Sequence, residues 1–140
     1  MPYTIIGAIG ECQLYDTTNY AFVNNNPCAF MTLNNIVMFC DDVEINNYTA
    51  ETTILKLPES SMFPSFDVFF PVIITDKSTN PNQIAQTIAK AKNDGTIVLL
   101  ENFTDAIVHL NGQNFHANSK YYTPTIGNIY NNGTSPLSGQ

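Results

Sequence analysis

The sequence has no tryptophan and no arginine, and lysine supplies all five of its basic residues against twelve acidic ones. A net charge of −7 without clustered cations excludes binding that works by displacing counterions from a phosphate backbone, so nucleic acid is not an expected partner. Charged residues make up only 12% of the chain, so the solvated surface must be built largely from neutral polar groups, chiefly Asn and Thr. Long hydrophobic runs are also missing. The longest, Val68-Phe69-Phe70-Pro71-Val72-Ile73-Ile74, has the length of a strand and falls far short of the roughly 20 residues a spanning helix needs, so no membrane partner is expected. The opening Met1-Pro2-Tyr3-Thr4-Ile5-Ile6 lacks the basic region of a secretion signal.

The inventory for chemistry is equally thin. Cys12, Cys28 and Cys40 are odd in number, match no zinc spacing, and read as small buried hydrophobes. Asp41-Asp42-Val43-Glu44 lacks the alternating oxygen ligands and Gly of a calcium loop and reads as a solvated turn. Ser60-Ser61 has no nucleophile-elbow frame, and no Gly-rich phosphate loop occurs. The expectation is a protein that is not an enzyme and carries no cofactor.

What is present is strand periodicity. At 140 residues and 44% apolar content the chain can close a core as one domain. Cys28 to Leu33 and Ile36 to Cys40 flank Asn34-Asn35, which reads as a hairpin with a two-residue turn. That register sets Cys28 opposite Asp41 and Cys40 opposite Ala29, on opposite faces, so no Cys28–Cys40 disulfide is expected. A second hairpin is read from Ala106 to Leu110, Asn111-Gly112, and Gln113 to His116. In it His109 and His116 share the non-core face as a diagonal pair about 7 Å apart, read as surface histidines for want of a third metal ligand. Thr52 to Leu57, Asp67 to Thr75 and Thr96 to Leu100 read as further strands, with Pro71 pointing to an edge or a bulge. Regularly spaced short strands with turn signals imply an all-β fold, a β-sandwich or jelly-roll-like domain with at most one short helix.

One segment admits two readings. Asn80-Pro81-Asn82-Gln83 followed by Ile84 to Lys92 carries an N-cap, a first-turn Pro, late Lys and Gly95 beyond the end, so local chemistry favours a helix. Alternation fits as well, with Ile84 and Ile88 on one side of a strand. The tail from Thr123 to Gln140 is rich in Pro, Gly and Asn, and reads as an extended arm at 124–140 beyond a single domain at 1–123. Tyr48, Tyr121, Tyr122 and Tyr130 sit among amides and hydroxyls, a setting in which rings stack on neutral polar ligands such as glycans, and they are the candidate ligand-binding residues.

Leu57-Pro58, Pro64-Ser65-Phe66-Asp67-Val68-Phe69-Phe70-Pro71-Val72 and Asn93-Asp94-Gly95-Thr96-Ile97 together resemble the C-terminal β-sandwich modules of phage tail-fibre and baseplate receptor-binding proteins over about residues 50 to 123. The resemblance implies that a strand precedes the Asp-Gly-Thr-Ile turn, which would pair Ile84 to Lys92 with Thr96 to Leu100. It also implies a trimeric structural component of a virion, in a tail, baseplate, head-fibre or capsid-decoration role. Such a component would act by attachment to other virion proteins and by binding host-surface glycans. A cellular carbohydrate-binding or adhesion domain is the alternative.

Overall fold

The computed structural model describes residues 6–117, and they form an all-β sandwich of two sheets. In chain order the strands are β1 (Ile6–Glu11), β2 (Gln13–Leu14), β3 (Tyr20–Phe22), β4 (Cys28–Thr32), β5 (Ile36–Phe39) and β6 (Val43–Tyr48). They continue with β7 (Leu55–Lys56), β8 (Val68–Asp76), β9 (Gln83–Ala91), β10 (Thr96–Leu99), β11 (Phe103–Val108) and β12 (Asn114–His116). One sheet has the order β1-β4-β5-β12 and the other β2-β7-β10-β9-β8-β11-β6-β3. The one helical turn among the described residues is a 3-10 turn at Ser60–Met62. The arm expected at 124–140 lies outside the described residues.

Alternation decides what each strand buries. Along β8, Phe70, Val72 and Ile74 point into the sandwich while Phe69, Pro71 and Ile73 point out. Ala29 and Met31 of β4 meet Val37 and Phe39 of β5 on the inner side of the smaller sheet. Between the sheets, Ile45, Ile54, Leu55, Met62, Ile97 and Leu99 are fully enclosed, each worth about 1.5–3 kcal/mol of burial. Gly95 closes the β9–β10 turn at φ +88, and a Cβ there would overlap the Phe63 ring, so this position admits only glycine.

Residues 83–91 are a strand, in the position that the resemblance implied. β9 pairs with β8 from Val68↔Ala91 to Asp76↔Gln83, and with β10 through Ala89, Lys90 and Ala91. The long ladder to β8 outweighs the local helix signals, because a helix here would leave β8 and β10 without the strand between them. Pro71 fits its strand because β11 pairs with β8 only at Ile74, Thr75 and Asp76, so the Val68 half of β8 is a local edge on that side.

Two expected hairpins are corrected. The β4–β5 register is Met31↔Val37, Phe30↔Met38 and Ala29↔Phe39, one residue away from the expected pairing. The connection is a three-residue loop in which Asn35 takes φ +66 and its N–H donates to the Thr32 carbonyl at 3.0 Å. A turn followed by a left-handed residue is the commonest alternative to a two-residue turn, and Asn supports both. Asn111-Gly112 does not join a hairpin at all. β11 belongs to the larger sheet and β12 to the smaller, so the turn carries the chain from one sheet to the other. Gly112 has φ +85 while Asn111 is not left-handed, and a turn of that kind splays the flanking strands instead of pairing them.

Candidate functional site

The outer face of the larger sheet divides into an apolar half and a polar half. The β8–β9 register brings Phe69 opposite Lys90, Pro71 opposite Ile88, Ile73 opposite Gln86 and Thr75 opposite Ile84. Alternation turns this set away from the core, leaving Phe69 at 57%, Ile73 at 43% and Ile84 at 70% exposure, with Ile88 also open. Contiguous large apolar groups on an outer face mark an interaction surface, unlike single exposed residues. A groove of about 420 Å³ runs along Pro71, Gln86, Thr87, Ile88, Leu100 and Glu101 at its margin. At one end Lys90 Nζ stands 5.4 Å above the Phe69 ring and 3.1 Å from a Glu51 carboxylate oxygen, so its charge is engaged.

The edge of β9 adds to this face. β10 covers β9 only from Ala89 to Ala91, and a further bond runs from the Leu100 N–H to the Ile88 carbonyl. Among the described residues no strand pairs with that side of β9 from Gln83 to Gln86. The stretch Gln83-Ile84-Ala85-Gln86-Thr87-Ile88-Ala89 holds no charge and no proline, the usual protections of a strand edge.

Across the sheet the same face becomes polar. His109 Nδ1 lies 3.0 Å from Asp42 Oδ2 and its Nε2 lies 2.7 Å from Thr75 Oγ1. With Nδ1–H donating to the carboxylate, Nε2 accepts the Thr75 hydroxyl proton. Asp42 Oδ1 accepts the Asn111 N–H at 3.0 Å, and Lys77 pairs with Glu44, with Asp105 at 3.9 Å. Hydroxyl, imidazole and carboxylate in this order have the connectivity of a nucleophile, its base and an orienting acid. Catalysis also needs a cleft and donors aimed at a developing negative charge. Four hollows among the described residues, around Asn47, Tyr15, Pro71 and Glu11, are lined by none of Thr75, His109 and Asp42. The chain of bonds reads as a tie joining β8 to the ends of β11 and of the β5–β6 connection.

Of the expected site residues, Tyr48 is placed inside the core at 2% exposure. Its hydroxyl donates to the Thr52 carbonyl at 2.6 Å and accepts the Leu99 N–H at 2.8 Å, and burial pushes its pKa up. The ring face therefore packs against protein, 6.2 Å from the Tyr20 ring, and is not a stacking platform. Tyr121, Tyr122 and Tyr130 lie outside the described residues. His109 and His116 stand on different sheets, because the hairpin that paired them does not form. Among the described residues no group of three or more His, Cys, Asp or Glu is placed to hold a metal ion.

The acidic turn is also corrected. Asp41 is buried at 2% exposure, where its carboxylate accepts the N–H groups of Asn24 and Asn26 at 2.9 Å and the Asn24 amide at 3.0 Å. It organises the Asn24-Asn25-Asn26 loop, while Asp42 and Glu44 face outward. The apolar face was missed because a continuous apolar run such as Val68 to Ile74 reads as buried on both sides. Its one local signal was Pro71, which marks an edge. No family model, no curated protein and no solved structure matches this chain.

Proposed function

We propose that this chain is a structural virion component of a bacteriophage that assembles with copies of itself, as a trimer, and attaches to other virion proteins. The observation that carries the assembly part is the apolar face of β8 and β9 beside the uncharged open edge of β9. An interface needs an apolar centre with a polar rim, and Phe69, Pro71, Ile73, Ile84 and Ile88 beside the Thr75–His109–Asp42 tie supply both. The occupant is a second copy of the chain. A strand edge left with neither charge nor proline invites a further strand, and on the outer face of β8 and β9 the charged Lys90 is already paired with Glu51, so the net charge of −7 is carried away from the apolar centre. The virion setting and the number three rest on the resemblance of residues 50 to 123. The reading assigns no enzymatic role.

The test is the mass of the full chain in solution, for the natural sequence and for Ile73→Lys with Ile84→Lys together. The expected result is a trimer that becomes a monomer in the double variant, with an unchanged far-ultraviolet β signal. A monomeric natural chain, or a double variant that still assembles, overturns the assembly reading. Mass spectrometry of purified particles tests the setting, with the chain expected at a fixed ratio to the other virion proteins and its absence counting against a virion role.

A second reading, a cellular carbohydrate-binding or adhesion domain, has its own support. Asn47, Thr49, Asn102 and Thr104 line a hollow of about 310 Å³ beside the half-buried Phe103 ring, which β11 sets opposite the enclosed Tyr48 of β6. Amides and hydroxyls around a ring suit a neutral sugar. A glycan array that reports binding abolished by Asn47→Ala and Thr104→Ala supports this reading, and an array without signal removes it.

A further inference from the structure

The corrected register of the smaller sheet brings two thiols together. Continuing the pairing Ala29↔Phe39 by one residue sets Cys28 opposite Cys40, and their sulfur atoms lie 2.9 Å apart. The Cys40 N–H donates to the Cys28 carbonyl at 3.1 Å, which makes this a hydrogen-bonded pair of the ladder. Such pairs hold their Cα atoms about 5.5 Å apart. Disulfides span Cα separations of about 4.4 to 6.8 Å, so the backbone need not move for a bond to form. Both cysteines are free and half-buried at the end of the hairpin away from its loop, within reach of a small molecule.

We infer that Cys28 and Cys40 are a redox modification site, a dithiol that closes into a cross-strand disulfide by exchange with a low-molecular-weight disulfide such as oxidised glutathione. The Cys28 thiolate attacks one sulfur of the small disulfide, forming a mixed disulfide and releasing one glutathione thiolate. Cys40 then gives up its proton and attacks the Cys28 sulfur, forming the Cys28–Cys40 bond and expelling the second glutathione. Two protein thiols are oxidised, one small disulfide is reduced to two thiols, and the protein's two protons pass to the released thiolates.

Burial, and then the hydrogen bond to Cys28, push the Cys40 thiol up to about 12, so the exchange should quicken as pH rises and more of the thiol ionises. Cys12 is the nearby third thiol. It is buried, and that burial pushes it up to about 12, which leaves it a poor competitor in exchange. In a reducing compartment the pair stays open, and in an oxidising medium it closes and staples β4 to β5. The inference stands apart from the assembly reading, since it requires only the β4–β5 register.

The test uses the purified full chain in glutathione buffers of increasing oxidised fraction, quenched with N-ethylmaleimide, and read by intact mass and non-reducing peptide mapping. The expected result is loss of two alkylatable thiols, an intact mass lower by two hydrogens, and a Cys28–Cys40 linked peptide. The melting temperature should rise by several degrees and return on adding a dithiol reductant. Cys28→Ser and Cys40→Ser should each abolish the link and stop at a mixed disulfide, while Cys12→Ala leaves it intact. Absence of the linked peptide in excess oxidised glutathione, a link through Cys12, or a mixed disulfide that persists on the natural chain would each overturn the inference.

Discussion

The hairpins β4–β5 and β8–β9 are built from similar alternating apolar strands, yet they stand differently in the molecule. In β4–β5 the inward residues Ala29, Met31, Val37 and Phe39 are all covered by the opposite sheet, and a three-residue loop closes the strands. β8–β9 is nearly twice as long and runs past the end of β10, so its distal half has core on neither its edge nor its outer face. The same period-two pattern thus serves a closed core in one hairpin and an unfilled surface in the other. The length of a hairpin relative to its neighbours, and not its composition, separates the two.

Truncation should expose this difference most sharply. Phe39 is buried, with its ring 6.1 Å from that of Phe115, so Phe39→Ala should cost about 3–5 kcal/mol of unfolding free energy in urea titrations. Ile84→Ala on the protruding hairpin should stay within about 0.5 kcal/mol when the monomer is measured. Comparable losses at the two positions would mean that the β8–β9 face is covered in the folded monomer.

Alkali should act on the buried side of the comparison. Burial pushes the Cys12 thiol from its ordinary 9.0 up to about 12, with Cys28 and Cys40 beside it adding to the rise. Because the raised value belongs to the folded state, the stability the protonated thiol contributes is complete below pH about 9. It falls at about 1.4 kcal/mol per pH unit as pH climbs toward the folded value. Urea midpoints between pH about 8 and pH about 11 should therefore drop steeply in the natural chain and less steeply in Cys12→Ala. An unchanged slope in the variant would place the alkaline sensitivity elsewhere, with the Cys40 thiol, also pushed up to about 12, next in line and the buried Tyr48 hydroxyl after it.

The smallest effect should fall at the β4–β5 loop. Asn35 holds φ +66, so Asn35→Ala should cost about 1 kcal/mol while Asn35→Gly stays within a few tenths. Equal costs for the two would mean that Asn35 is not left-handed, which would count against the three-residue loop described for β4–β5.

The fold class was legible residue by residue. The alternation in β8 and β4, and the Asn93-Asp94-Gly95 turn that lets β9 return into β10, hold the information needed for strands packed in two layers. The candidate site was much less so. Tyr48 carries the same ring and hydroxyl whether it stacks on a ligand or bonds to Leu99, and nothing beside it in the chain tells which. Asp41 and Asp42 are adjacent and identical, yet one is enclosed by the Asn24–Asn26 loop and the other orients His109.

The sequence by itself determined that β4, β5, β8, β10 and β11 form strands, which of their side chains share a strand face, and that the surface is built mostly of uncharged polar groups and poor in cations. Those properties depend on residues within a few positions of one another, where side-chain period and turn chemistry act directly. The tertiary structure alone decided the register that joins Cys28 to Cys40, the sheet to which β12 belongs, the fate of Asn111-Gly112, and the open face of β8–β9. Each of these turns on a choice between nearly equal local geometries, or on where a distant strand ends, and only the pairing of segments far apart in the chain settles it.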